Sequence, residues 1–374
     1  MGLLRSYMDA MLTATLSPFS SPRGSSSSKA TTPNSNSKKS KKKLKTAKPP
    51  THAAQDPSAT TPTASPACVV RSPPERLADF KVLKTLAPAL FGEVLLCRDA
   101  RTGRQLAVKR VDLRCAQAQR TIGKQIRVVE SLQQERAVHL QLVAAKTTNL
   151  LLLEEEVQCG GNLYMIFPFC TGGDLFDVVR HSPLDGRLPE ITARRYLRDV
   201  VRALLCLKQN GFAHRDISLE NVLLDAEGVC HLCDFGLAAE HGELLAPGRV
   251  GKAWYMAPEV YAAKEAYDPL QADMWSLGVL LTIMLTGAPL VEKPNCDDRQ
   301  FRVLHRSGVR KLARVFPKKP SEEAWDLLER LLDTEPSQRP TLEEVSKHPF
   351  LSETECLSDS WQRSSAAYCS PTLR

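Results

Sequence analysis

Alternation of apolar and polar positions marks several elements along the chain. Leu106-Ala107-Val108-Lys109 alternates and ends in a cation, the pattern of a strand whose lysine points into a cleft. A second alternating strand runs through Cys230-His231-Leu232-Cys233 into Asp234. Glu135-Arg-Ala-Val-His-Leu-Gln-Leu142 reads as the last turns of a helix, and Asp273-Met-Trp-Ser-Leu-Gly278 opens a long apolar one. Near the start, Leu3, Leu4, Tyr7, Met8, Met11, Leu12 and Leu16 follow a helical period and give one apolar face. No apolar run approaches the length of about 18 residues that a membrane-spanning helix needs.

Chemistry concentrates in two places. His214-Arg-Asp-Ile-Ser-Leu-Glu-Asn221 sets an Asp and an Asn on one loop, and Asp234-Phe235-Gly236 follows shortly after. This is equipment for phosphoryl transfer: Asp216 to orient a hydroxyl and accept its proton, Asn221 and Asp234 to hold Mg²⁺ ions that bridge ATP phosphates. With Lys109, Ala257-Pro258-Glu259 and Asp273 through Gly278 in the same order, the chain resembles the eukaryotic protein kinase family over residues 80–351.

The resemblance implies an α+β, two-lobed fold. A small antiparallel-sheet lobe with one helix would span about 80–169, and a larger, mainly helical lobe about 170–351. Lys109 would grip the phosphates, paired with a glutamate for which Glu130 and Glu135 are candidates; Glu135 is preferred from its helix. His139 looks like the polo-like kinases at that position. Phe167 is the implied gatekeeper. Pro168 lacks an N–H but offers its C=O to adenine, and Cys170 offers the N–H. Asp174 would meet the ribose hydroxyls, and Leu86, Val94, Ala107 and Leu223 would wall the base. Arg339 is the implied buried partner of Glu259.

Three departures qualify this picture. The family's G-x-G-x-x-G-x-V stands here as Ala87-Pro88-Ala89-Leu90-Phe91-Gly92-Glu93-Val94, so the nucleotide loop keeps one glycine. Glycine lets backbone N–H groups approach phosphate, so restoring Ala87 and Ala89 to glycine is expected to tighten nucleotide binding. Second, the lysine that Ser/Thr kinases carry two residues after the catalytic Asp is Ser218 here. Third, Phe235 through Ala253 contains no Ser, Thr or Tyr. No phosphate can form there to meet Arg215, leaving Glu240 or Glu243 as anionic substitutes. Lys252 stands where the family usually has a threonine. An exchange is therefore expected, Lys252 reaching the γ-phosphate and Asp216 with Ser218 as its hydrogen-bond neighbour.

Composition adds the frame. The 374 residues leave room for one such domain, 79–351, between tails. Eleven cysteines at irregular spacing suit a reducing compartment, and Cys230-x-x-Cys233 lacks the second pair a zinc site needs. Residues 1–70 hold ten Lys or Arg against two Asp or Glu, a net +8 that equals the charge of the whole chain. The basic character thus belongs to a tail, and no nucleic-acid partner is expected.

Residues 1–78 are expected to be a disordered Ser/Pro/Lys-rich tail. Met1-Gly2-Leu3-Leu4-Arg5-Ser6 fits the myristoylation pattern, and Lys38–Lys48 would supply the second membrane signal that one acyl chain needs, or else a nuclear localisation signal. The expected location is cytoplasmic, at a membrane surface or in solution, with the nucleus as the alternative. Residues 352–374 are polar. The reading is an ATP- and Mg²⁺-dependent kinase acting on protein Ser/Thr. Glu220 and Asp174 favour basic residues before the target, whereas Ile283 stands where strongly basophilic relatives carry an acid. The competing reading, carried by the three departures, is a pseudokinase acting as scaffold or allosteric partner.

Overall fold

The computed structural model describes residues 72–143 and 149–352. The expectations for Gly2, the apolar face of residues 3–16, Lys38–Lys48 and the last residues lie outside them. No helix among the described residues is long and apolar enough to cross a membrane.

Order begins earlier than residue 79. A short helix, α1 (Pro73–Ala78), starts where Ser72 N and Oγ both donate to Glu75 Oε2, at 2.9 and 2.7 Å. Two prolines at its first positions cost no hydrogen bond. Arg76 then anchors the helix: its Nε and Nη2 donate to Glu155 at 2.9 and 2.8 Å, and its guanidinium lies over Phe80. The last residues of the segment expected to be disordered are thus held by an ion pair that spacing alone does not reveal.

The small lobe is a five-stranded antiparallel sheet: β1 (Phe80–Ala89), β2 (Gly92–Asp99), β3 (Gln105–Asp112), β4 (Glu155–Cys159) and β5 (Asn162–Pro168), in the order β1-β2-β3-β5-β4. Period-two geometry sorts β3. Leu106 and Val108 pack with Leu95, Cys97, Val157 and Ile166 on one face. Ala107, Lys109 and Val111 take the other, where Val94 lies opposite Lys109 and Phe167 opposite Ala107.

Beyond β3 come α2 (Leu113–Gln117) and α3 (Leu132–Leu142). Ser131 caps α3 by accepting from Gln134 N, and Val138 and Leu142 are fully buried. Glu135 falls in the first turn, so residues 135–142 are most of a short helix and not the end of a long one. The preceding residues are spent on an antiparallel bridge between Arg120 and Arg127, with Gln119, Gly123 and Gln125 at positive φ.

The large lobe is mainly helical. Two short strands and a helix, β6 (Gly173–Asp174), α4 (Leu175–Arg180) and later β8 (Val222–Leu224), pack against one another; in sequence α5 (Glu190–Gln209) and β7 (Phe212–Ala213) come between α4 and β8. β9 (Cys230–Leu232) completes a β6-β8-β9 sheet, and β10 (Ala239–Glu240) pairs with β7. Then follow α6 (Pro258–Ala262), α7 (Pro269–Thr286), α8 (Arg299–Ser307), α9 (Glu322–Leu331) and α10 (Leu342–Ser346). α7 is apolar around most of its circumference and is accordingly a core helix, capped by Asp268 and ended by left-handed Gly287. The α+β, two-lobed arrangement expected from the sequence is the one observed.

Candidate active site

Lys109 and Glu135 form a direct pair, Nζ to Oε1 2.7 Å and to Oε2 2.9 Å, and Asp234 Oδ1 lies 4.0 Å from the same ammonium. Burial disfavours the charge on Lys109, but Glu135 and then Asp234 outweigh it and raise its pKa. Asp234 is open to the cleft. Desolvation opposes its ionisation, yet Lys109 and Lys252 hold its carboxyl below the usual range.

Glu130, the rejected partner for Lys109, is not on the helix. It lies beside Gly236, where an added Cβ would be 3.6 Å from the Glu130 Cβ, and near Asp216 and Asp234; burial, then those two carboxylates, push its pKa up. Ser131 N donates to Gly236 O at 3.0 Å, which ties this segment to the Asp234-Phe235-Gly236 turn.

Rings link the lobes behind these charges. His139 of α3 contacts Phe167 at 5.3 Å and Phe235 at 4.9 Å between centroids, and Phe235 contacts His214 at 5.7 Å. His214 N and Arg215 N donate to Asp273 of α7 at 2.7 and 2.8 Å. The catalytic loop is thereby fastened to the central helix. Arg215 and Asp234 both adopt φ of +67°, a conformation that costs a non-glycine residue on the order of 1 kcal/mol and needs such fastening.

Asp216 receives three donors. Asn221 Nδ2 donates to its Oδ2 at 2.7 Å, Lys252 Nζ to Oδ2 at 2.9 Å, and Lys252 N to Oδ1 at 3.1 Å. Asn221 Nδ2 also donates to Asp216 O at 2.8 Å, so its amide is oriented and neither bond uses its oxygen. An amide oxygen and a carboxylate are hard oxygen donors that suit Mg²⁺, so Asn221 and Asp234 fit that ion.

Other predicted positions divide. Ala107, Phe167, Cys170 and Leu223 share one apolar cluster, joined by Cys233, which the sequence reading passed over because it looks like a strand residue. Burial raises the Cys170 thiol to about 11. Asp174 is the N-cap of α4, accepting from Asp177 N at 2.7 Å, and burial pushes its carboxyl up to about 6. Pro168 ends β5 opposite Leu106.

The glycine-poor loop departs from expectation. Ala87, Pro88 and Ala89 are extended residues of β1, and the turn is Leu90-Phe91. Ala87 lies opposite Val94, on the Lys109 side; Leu86, at a register irregularity, is exposed. Pro88 and Glu93 oppose each other on the far side, where Glu93 pairs with Arg110 at 2.5 Å, so Glu93 leaves the nucleotide-facing set. Phe91 is buried against residues that include Val111 and Ala116. Phe91 O accepts from Asp112 N at 2.8 Å and Leu90 O from Ile122 N at 3.0 Å, which pin the loop tip. Gly92 survives for packing: a Cβ there would lie 1.7 Å from the Arg110 carbonyl oxygen.

Two further expectations are corrected. Arg215 binds neither Glu240 nor Glu243, which are exposed; it donates to Tyr267 Oη at 3.2 and 2.9 Å and to Leu237 O at 3.1 Å. Ser218 is fully buried and its Oγ has no hydrogen-bond partner among the described residues, so it is not the neighbour of Lys252 that the exchange assumed. Arg339 does hold Glu259, through two bonds of 2.7 and 2.9 Å.

The protein kinase domain model matches residues 80–351. The chain belongs to the protein kinase family. Its relatives include CBL-interacting protein kinase 30 of Oryza sativa subsp. japonica, 32% identical over 281 residues, 74% of this chain and 55% of the relative. CBL-interacting serine/threonine-protein kinase 7 of Arabidopsis thaliana is 32% identical over 276 residues, 72% of this chain and 59% of the relative. Serine/threonine-protein kinase sck2 of Schizosaccharomyces pombe is 32% identical over 306 residues, 79% and 44% respectively. The chain thus spans about half the length of the relatives it matches, and the shared part contains this kinase site.

Proposed function

We propose that the protein is a serine/threonine kinase that transfers the γ-phosphate of ATP, with Mg²⁺, to protein substrates. One observation carries the reading: Lys109, Glu135, Asp216, Asn221 and Asp234 are all in place around one cleft, and the Lys109–Glu135 pair is closed at 2.7 Å. A scaffold would have no need of that pair beside an oriented Asn221.

In this reading Ala107, Phe167, Cys170 and Leu223 enclose the adenine, and Lys109 neutralises the phosphates. Asn221 and Asp234 would hold the metal, which supplies charge neutralisation on the phosphates when bound. Asp216 orients the substrate hydroxyl and takes its proton. The activation segment, residues 235–253, requires no phosphate, because Tyr267 and Leu237 already occupy Arg215.

A pseudokinase is the second reading, favoured by the pinned tip at Leu90 and Phe91. The full-length protein, assayed for ATP–Mg²⁺ binding and for phosphotransfer to generic protein substrates with Asp216→Asn as control, separates the two. Transfer that Asp216→Asn abolishes supports the kinase. Binding without transfer supports the scaffold.

A further inference from the structure

Between Asp216 and Asn221 the catalytic loop carries Ile217, Ser218, Leu219 and Glu220, and therefore no cation. Ser218 cannot stand in for one, being sealed in the core with its hydroxyl unpartnered among the described residues. The nearest positive charge to Asp216 comes from a different part of the chain. Lys252 of the activation segment grips this carboxylate with both its backbone N–H and its ammonium, at 3.1 and 2.9 Å.

The approach is built into the backbone. Gly251 has φ of +82°, and a Cβ there would lie 2.7 Å from Arg215 O and 3.3 Å from Asp216 Oδ1. Only glycine lets the segment lie this close to the catalytic loop. The turn is then fixed from behind: Tyr255 N donates to Lys252 O at 3.0 Å, and Ser276 Oγ of α7 donates to Tyr255 O at 2.7 Å.

We propose that Lys252 replaces the missing catalytic-loop lysine as the cation facing the transferred phosphate, so that the activation segment delivers this charge. The inference rests on the kinase reading and extends it to a residue that a Ser/Thr kinase would not be expected to use. An ammonium has three donors. One stays on Asp216, and the others are available to a phosphate oxygen. Burial works against its charge, but Asp216 and then Glu220 outweigh burial and keep it protonated.

In the transfer, the substrate hydroxyl oxygen bonds to the γ-phosphorus. The bond from that phosphorus to the β,γ-bridging oxygen breaks, and ADP leaves with the electron pair. The hydroxyl proton passes to Asp216. Lys252 forms no covalent bond; it neutralises the phosphoryl oxygens and holds Asp216 in line. A regulatory consequence follows. Displacing the segment removes the catalytic cation, so ordering of the segment switches catalysis without phosphorylation.

The test uses the full chain carrying Lys252→Met or Lys252→Arg. Removal of one preorganised donor to the transition state costs on the order of 100-fold or more in kcat. The inference therefore expects that loss in Lys252→Met, with the KM for ATP within about threefold of wild type, and recovery of about tenfold or more in Lys252→Arg, which keeps the cation. It also expects Lys252→Met to bind ATP–Mg²⁺ yet fail to retain MgADP with aluminium fluoride, a mimic of the transferring phosphate. A Lys252→Met protein with kcat within threefold of wild type overturns the inference and leaves the kinase reading standing. So does a parallel fall in ATP affinity, aluminium-fluoride retention and Tm, which marks a structural role. A wild-type protein indistinguishable from Asp216→Asn overturns both.

Discussion

Arg215 and Tyr267 are joined through the phenol oxygen, which accepts from the guanidinium at 2.9 and 3.2 Å. The backbone of Tyr267 simultaneously exchanges two hydrogen bonds with Leu245, at 2.9 and 3.0 Å. One buried tyrosine thus binds the arginine of the catalytic loop with its side chain and the activation segment with its main chain. In a segment without a phosphorylatable residue, this contact is expected to supply the constraint that a phosphate on the segment would give Arg215.

Tyr267→Phe should therefore loosen the segment while leaving its packing volume intact. A hydrogen bond to a charged group contributes about 1.5–3 kcal/mol. The expected outcome is a Tm lowered by several degrees, with a drop in kcat larger than any change in the KM for ATP. Phosphatase treatment of the wild type should change neither quantity. Thermal melts and initial rates on the two proteins check this.

His139 gives the stability a pH dependence of definite sign. Burial first, then Lys109, hold its pKa down to about 4, against an ordinary 6.5, while Asp234 opposes. Between those values the unfolded chain takes up a proton that the folded protein refuses. Its contribution is thus complete above about pH 6.5 and declines as pH falls toward 4. The span corresponds to about 3 kcal/mol. His139→Leu keeps an apolar group between Phe167 and Phe235 and removes the titration. Denaturant unfolding at pH 5 and pH 7.5 should show a smaller difference for His139→Leu than for wild type; equal differences would contradict the assignment.

The motif residues were legible because the chemistry fixes both their type and their spacing. Asp216, Asn221 and Asp234 meet in one cleft, and Lys109 finds Glu135 across 26 positions of sequence. What spacing could not supply was orientation. Glu93 sits inside the loop motif, yet strand alternation turns it to Arg110. Arg76 looked like part of a polar tail until Glu155, 79 positions later, gave it a partner. Glu240 and Glu243 offered the right charge for Arg215, but a neutral phenol has the position. Lys252 was placed near Asp216 from the sequence, whereas the hydroxyl of Ser218 turned out to face the core.

The loop over the nucleotide gives an expectation opposite to the one that sequence alone suggests. Ala87 and Ala89 are extended and lie in a paired strand, so glycine there adds unfolded-state freedom without permitting a new backbone conformation. The Ala87→Gly/Ala89→Gly variant should bind ATP–Mg²⁺ no more tightly than wild type and melt slightly lower. Gly92→Ala should be far more damaging, since its methyl meets the Arg110 carbonyl directly. Calorimetric titration and thermal melts separate these outcomes; a tighter double-glycine variant would contradict the strand assignment.

A kinase that works without a phosphate on its activation segment is active before any other kinase has acted on it. The most direct test is full-length protein made in a host without protein kinases, incubated with Mg²⁺ and ATP labelled at the γ-position. Acid hydrolysis of the labelled protein substrate identifies the acceptor. The expected result is label on phosphoserine or phosphothreonine, a rate unchanged by prior phosphatase treatment, and loss of orders of magnitude in Asp216→Asn. No label in the wild type, or equal label in Asp216→Asn, would contradict it.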